Sequence, residues 1–257
     1  MERAGLMHTI HPAWRAPGNV RALSTLRGDG ASAAPYDDGL GGPGLNLGTH
    51  VGDDPLAVCA NRQALLPLLP TEPAWLNQVH GVTVVNAQHA TGTPDADASI
   101  ATRPGVVCAI MTADCLPVLL HDHAGKVVGA AHAGWRGLAG GVLQRTVEAM
   151  RDAGAIGIDA WLGPAIGPES FEVGHDVRQT FVSRDARADV AFVSIPASPG
   201  KYLADIYQLA RLALEDAGVT TVSGGGYCTV TEANRFYSYR RDGRTGRMAS
   251  LIWMSET

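Results

Sequence analysis

Two apolar runs, CLPVLLHD and KVVGAAHAG, flank a short polar turn through His123-Ala124-Gly125 and read as a β-hairpin of the core. Few other features constrain the fold as strongly, because a hairpin brings distant side chains to fixed cross-strand positions. Pairing Leu120 with Val127 places Cys115 directly opposite His132 on the same face, with Cβ atoms ~4.5–5.5 Å apart. A register slip of one residue would undo that meeting. His121 and His123 flank the turn tip and are expected in water.

The segments around the hairpin alternate irregularly between strand and helix patterns. AWLNQVHGVTVVNA and SIATRPGVVCAIMTA are β-rich. In DDPLAVCANRQALLPLLP, Asp53 or Asp54 can cap a helix whose apolar positions are Leu56, Cys59, Leu65 and Leu66. RGLAGGVLQRTVEAMRDAG is an amphipathic helix stopped by Gly154, and YLADIYQLARLALEDAGV another, stopped by Gly218. The tail RFYSYRRDGRTGRMASLIWM reads as two strands around an Asp-Gly turn. Residues 28–48, GDGASAAPYDDGLGGPGLNLG, are Gly-, Pro- and Asp-rich and must be irregular. Only 27 residues precede them, too few for a domain, so they predict an ordered loop beside a site. The fold class expected is α/β (mixed α+β): a single-domain sandwich of mixed β-sheets with outer helices over residues 1–257.

Composition narrows the function. The 257 residues carry a formal net charge of -5, from 20 basic and 25 acidic side chains spread along the chain without a basic block. Neither duplex nucleic acid nor an anionic membrane is an expected partner. The first thirty residues hold no apolar leader core, and no apolar stretch reaches the ~20 residues of a membrane helix, so a cytoplasmic location is expected. Cys59, Cys108, Cys115 and Cys228 form no CxxC pair and are expected as thiols. Cys59 and Cys108 read as small buried hydrophobes.

A thiol and an imidazole at cross-strand distance suit three arrangements. A metal ion can bridge them, the histidine can activate Cys115 as a nucleophile, or the two can pack in a core. His132 precedes AGWRG, a Gly-bracketed strand-to-helix turn whose free N–H groups and Arg136 suit an anion. A metal site with an open position needs a third ligand, and LNQVHG offers His80, polar, at a strand end and before a glycine. His8, His11, His50, His89 and His175 lack comparable context.

With NQVHG, TADCLPVLL and AAHAGWRG in this order, the chain closely resembles the YfiH or laccase-domain family, long labelled bacterial polyphenol oxidases. NLGTHVGDDPLAVCANR, LGPAIGPESFEVG and FYSYRRDGRTGRMASLIW extend the likeness nearly end to end. One departure is TLRGDGAS, where Asp29 stands at one position of the family's usual Gly-Gly pair. The resemblance implies a YfiH-like fold and a zinc site at His80, Cys115 and His132. It also implies phosphorolysis of adenosine, inosine, guanosine and methylthioadenosine, plus deamination of adenosine.

These reactions set requirements for other residues. Phosphorolysis must hold a phosphate anion, and Arg62, Arg136 and Arg241 occupy loop-like or helix-terminal segments that suit bidentate donation. Asn46 and Gln78 could bond a ribose or base edge. Asp114, beside Cys115, could orient a ligand or move a proton. The same His₂Cys set could also take copper, at least in vitro. A laccase-like copper cluster needs several His-x-His pairs, however, whereas this chain has 9 His and the single pair His121-Asp122-His123. A metal-free Cys115–His132 hydrolase is the other alternative, and it leaves His80 without a role.

Overall fold

The computed structural model describes residues 7–219 and 221–256. The strands are β1 (Thr9–Ile10), β2 (Val20–Thr25), β3 (Val84–Asn86), β4 (Ala98–Ala101), β5 (Cys108–Thr112), β6 (Leu116–Asp122), β7 (Val128–Ala133), β8 (Ile158–Leu162), β9 (Glu172–Gly174), β10 (Phe192–Ser194), β11 (Lys201–Ala204), β12 (Thr221–Gly224) and β13 (Met248–Met254). The α-helices are α1 (Pro55–Leu65), α2 (Trp135–Gly140), α3 (Val142–Asp152), α4 (His175–Val182), α5 (Ile206–Asp216) and α6 (Tyr239–Asp242). A six-stranded mixed sheet runs β12-β8-β6-β7-β4-β3, with parallel pairs at its two edges and antiparallel pairs inside. A four-stranded antiparallel sheet, β1-β2-β13-β5, lies against it, and β10-β11-β9 form a small third sheet. Among the described residues no helix is long and apolar enough to cross a membrane.

The central hairpin explains the layering. Every residue of β6 and β7 is buried, so the sheet is covered on both faces. Leu116, Val118 and Leu120 of β6 pack with Leu143, Val147 and Met150 of α3 and with Leu209 and Leu214 of α5. Leu119 points the other way, toward Cys108 and Ile110 of β5 and Ile252 of β13. Period-two alternation therefore feeds two separate apolar layers, each fully buried Leu, Val or Ile contributing roughly 1.5–3 kcal/mol. A third layer lies beyond the four-stranded sheet, where Leu65 and Trp75 cover Ala109, Met111, Leu251 and Trp253.

The hairpin register differs from the expected one by two residues. Leu116 pairs with Ala133 and Pro117 with His132, so Cys115 lies just before β6 and diagonal to His132. Asp122 is the cause: its Oδ1 accepts from the backbone N–H groups of Lys126 (2.7 Å) and Val127 (2.9 Å), which widens the turn to include Lys126. A shift of two preserves the face, so both side chains still point between the two large sheets. His121 shares the face of Leu119 and is 0 % exposed, with its ring edge against Trp14 at 4.6 Å between centroids, so the expectation that it is solvated is corrected. His123 is half exposed and pairs with Asp159 at 3.0 Å.

Other expectations are met in part. Asp54 caps α1 by accepting from Leu56 N, yet the buried face is Val58, Asn61 and Leu65, while Leu56 and Cys59 face solvent. Asn61 turns inward because its amide holds the glycine-rich loop, accepting from Ala31 N and donating to Ser32 Oγ and Asn46 O. Within that loop Asp29 takes the left-handed backbone a glycine would otherwise supply (φ +66°). Gly30 beside it has no room for a side chain, since a Cβ would lie 2.1 Å from Gly44 O. The helix predicted after His132 is two helices, broken at Gly141 (φ +97°). In the tail only β13 is a strand. Ser238 caps the short α6 by accepting from Arg241 N, and the Asp-Gly pair ends that helix.

Candidate metal centre and its two cavities

His80, Cys115 and His132 converge, with their ligand atoms all within 4.8 Å of one another. His80 Nε2 lies 3.8 Å from Cys115 Sγ, and the two imidazoles meet edge to face at 4.8 Å between centroids. His132 is buried, Cys115 half-buried and His80 exposed at the mouth. Among the described residues no other group of three or more His, Cys, Asp or Glu side chains has this arrangement.

Asp97 organises the centre, and no sequence signal singled it out. It immediately precedes β4 and lies opposite His132 on β7, with His132 N donating to Asp97 O at 2.7 Å. Its Oδ1 accepts from His132 Nδ1 at 2.7 Å, which leaves Nε2 as the free ring nitrogen of His132. The same carboxylate, 0 % exposed, accepts from the backbone N–H groups of Val79, His80 and Gly81. Those bonds hold His80 at φ +60°, a conformation uncommon for a non-glycine residue, in a loop rather than at the expected strand end. Burial pushes the Asp97 carboxyl up, but the His132 imidazole and the N–H donors outweigh it and hold the group below its ordinary range.

Cys115 and His132 are electrically coupled. Burial raises the thiol, and the charge and hydrogen bonds of His132 and then His80 outweigh it, so Cys115 favours the thiolate. Burial likewise lowers His132, while the Cys115 charge and Asp97 raise it overall. Gly134, which follows the strand, closes over the group: a Cβ there would lie 3.0 Å from His80 Cδ2 and 3.1 Å from Cys115 Sγ. Two imidazoles and a thiolate, one imidazole fixed by a carboxylate through its far nitrogen, fit a zinc ion with one position open.

Two cavities adjoin across a shared wall of His80, Ala113, Cys115 and Tyr239. The first, about 270 Å³, is lined also by His50, Gln78, Thr112, His132 and Arg247. The second, about 260 Å³, is lined by Asp114, Trp135, Arg136, Phe171, Ile206 and Arg240 among others. Burial and then the charges of Arg247 and Arg62 hold the His50 imidazole below its ordinary value.

The remaining predicted residues divide by what holds them. Gln78 lines the first cavity, but its amide is committed to Met111, donating to O and accepting from N at 2.8 Å each. Asn46 is buried in the loop scaffold, donating to Asp53 Oδ2 and accepting from Arg247 N at 2.9 Å. Arg62 donates to Leu47 O and stacks on Trp75 with 4.2 Å between guanidinium and ring centroid. Arg136 is exposed on the second cavity and stacks on its neighbour Trp135 at 4.3 Å. Arg241 lines neither cavity; it pairs with Asp242 and donates to the carbonyls of Thr229, Val230 and Phe236. Asp114 borders the second cavity with both oxygens engaged, accepting from Thr229 Oγ1 and Arg240 N at 2.6 Å each. Besides Asp97, sequence reasoning did not single out Arg247 or Tyr239 and set His50 aside, although all three line the first cavity. Arg247 lay inside a segment already likened to the family, without a pattern of its own.

Known proteins resemble this chain over nearly its whole length. The family sequence model described as multi-copper polyphenol oxidoreductase laccase matches residues 21–255. A protein of Pseudomonas aeruginosa named purine nucleoside phosphorylase is 54% identical over 247 residues, 96% of this chain and 98% of its own length. The purine nucleoside phosphorylase YfiH of Escherichia coli is 52% identical over 251 residues, covering 95% of this chain and 98% of its own. Among solved structures, a Neisseria meningitidis protein of the DUF152 family superposes with a TM-score of 0.89 at 52% identity, covering 96% of this chain and 99% of that one. YlmD from Geobacillus stearothermophilus gives 0.82 at 32% identity, covering 93% of each. A fold shared end to end and a family match over nearly the whole chain lead to one assignment: the chain belongs to the YfiH family of laccase-like domains.

Proposed function

We propose that this protein, acting as one domain in the cytoplasm, is a zinc-dependent purine nucleoside phosphorylase. Its substrates are adenosine, inosine, guanosine and methylthioadenosine, and it also deaminates adenosine. One observation carries the reading: in the cluster His80, Cys115 and His132, braced by Asp97, His80 and Cys115 stand in the wall shared by two cavities and His132 lines the first of them. The names of relatives at about half identity support the phosphorylase part of this reading. Zinc held there would supply Lewis acidity at one open position, the property that brings a water's pKa toward about 7.

The chain's own residues have separable tasks in this reading. His80, Cys115 and His132 hold the metal, and Asp97 fixes the tautomer of His132 and the turn that carries His80. Arg136 faces the second cavity. Asn46, Gln78, Arg62 and Arg241 act through the segments they hold, and Asp114 ties Thr229 and Arg240 to the second cavity. Copper oxidase chemistry of the multinuclear kind has no further histidine cluster to use among the described residues. A metal-free Cys115 nucleophile is the remaining alternative, favoured by the depressed thiol. Incubation with adenosine, with and without phosphate, tests the proposal. Adenine with ribose 1-phosphate marks phosphorolysis, and inosine marks deamination. Full activity after zinc has been removed, lost on alkylation of Cys115, would replace zinc with the thiol.

A further inference from the structure

We propose that Arg247 and His50 form an anion subsite in the first cavity that binds phosphate beside His80 and Cys115; the assignment rests on the phosphorylase reading. Arg247 is half-buried on the cavity wall. Its Nη1 donates to the carbonyls of Thr245 and Gly246 at 3.0 Å each, and its own N–H is held by Asn46 Oδ1. Its Nε and Nη2 have no hydrogen-bond partner, and no carboxylate pairs with it among the described residues. A half-buried guanidinium, oriented from behind with two N–H groups unpaired and no salt-bridge partner among the described residues, leaves room for an anion in front.

The other candidate cations are occupied differently. Arg62 and Arg136 stack on tryptophans, Arg241 pairs with Asp242, and Arg240 donates to Glu172 O and lies 5.8 Å from the Phe171 ring centroid. The second cavity also carries the Asp114 carboxylate, which repels a dianion, and the aromatic rings of Trp135 and Phe171, which suit a purine face. Phosphate and base thus take separate cavities with the ribose at the shared wall. In the reaction a phosphate oxygen forms the bond to ribose C1′ as the C1′–N9 bond breaks. The bonding pair leaves on the purine nitrogen, and the proton of hydrogen phosphate ends there, giving ribose 1-phosphate and free base.

The test uses zinc-loaded full-length protein and two readouts. For Arg247→Gln and His50→Ala, phosphate KM should rise by roughly 10- to 150-fold, the effect of losing a charge-assisted contact. Nucleoside KM should stay within about threefold of the parent, and zinc content should be unchanged. Arg247→Lys should lie between, because it keeps the charge and loses the fork. Calorimetric titration with inorganic phosphate alone should lose its signal in Arg247→Gln. Equal phosphate binding and equal phosphate KM in the parent, Arg247→Gln and Arg247→Lys would overturn the subsite. If the parent releases no ribose 1-phosphate yet binds phosphate in an Arg247-dependent way, the phosphorylase reading fails and the anion site stands.

Discussion

Asp97 Oδ1 sits 2.7 Å from His132 Nδ1 and 3.0 Å from the backbone nitrogen of His80, so one carboxylate positions two of the three candidate ligand residues. The second ligand of the pair reaches the centre from a loop with no regular structure of its own. Its placement depends on a charged hydrogen-bond acceptor that the strand β4 delivers.

Asp97→Asn keeps the shape of this residue and removes its charge. The variant should bind zinc about 10- to 100-fold more weakly, the usual consequence of losing a histidine-orienting carboxylate. Competition with a chromophoric chelator measures it. An affinity equal to the parent's would show that the contact is structural only.

Gly134→Ala places a methyl group 3.0 Å from His80 Cδ2 and 3.1 Å from Cys115 Sγ. The backbone there is ordinary (φ -60°), so the fold should tolerate the change. Metal content and activity should fall together while thermal unfolding of the metal-free protein shifts little. Full zinc loading of this variant would mean that the ligands close on the ion differently.

Thiol chemistry should sort the cysteines by environment. Cys115 is drawn toward thiolate, so in metal-free protein its alkylation should be half-maximal below the ~8.5 of a free thiol and decline as pH falls further. Cys108 is fully buried, and burial pushes its thiol up to about 12, so it should stay unlabelled in folded protein. Added zinc should protect Cys115 and leave exposed Cys59 reactive. Peptide mapping by mass spectrometry distinguishes all three.

His121→Ala should destabilise the fold, because the ring is fully buried against Trp14 and truncation leaves a cavity. Losses of about 2–4 kcal/mol are typical of such truncations. Denaturant unfolding reads the loss, and zinc content of the folded fraction should be normal. An unchanged midpoint would place the ring in water after all.

The sequence by itself determined the central hairpin, an aspartate cap on α1 at Asp53 or Asp54, the stops at Gly154 and Gly218, and His80, Cys115 and His132 as the side chains to look for together. Those are local signals: alternation, caps, left-handed glycines and chemically distinctive side chains act within a few positions of one another. Register depended on how many N–H groups Asp122 could satisfy at the turn, and His121 was buried because a second sheet covers its face. The roles of Asp97 and Arg247 depended on partners far away in the chain. Asp97 meets His132 only through the pairing of β4 with β7, and Arg247 reaches the cavity only where Asn46 holds the returning chain. A carboxylate or guanidinium carries no mark of its partner until the tertiary structure removes it from water and decides which opposite charge, if any, it meets.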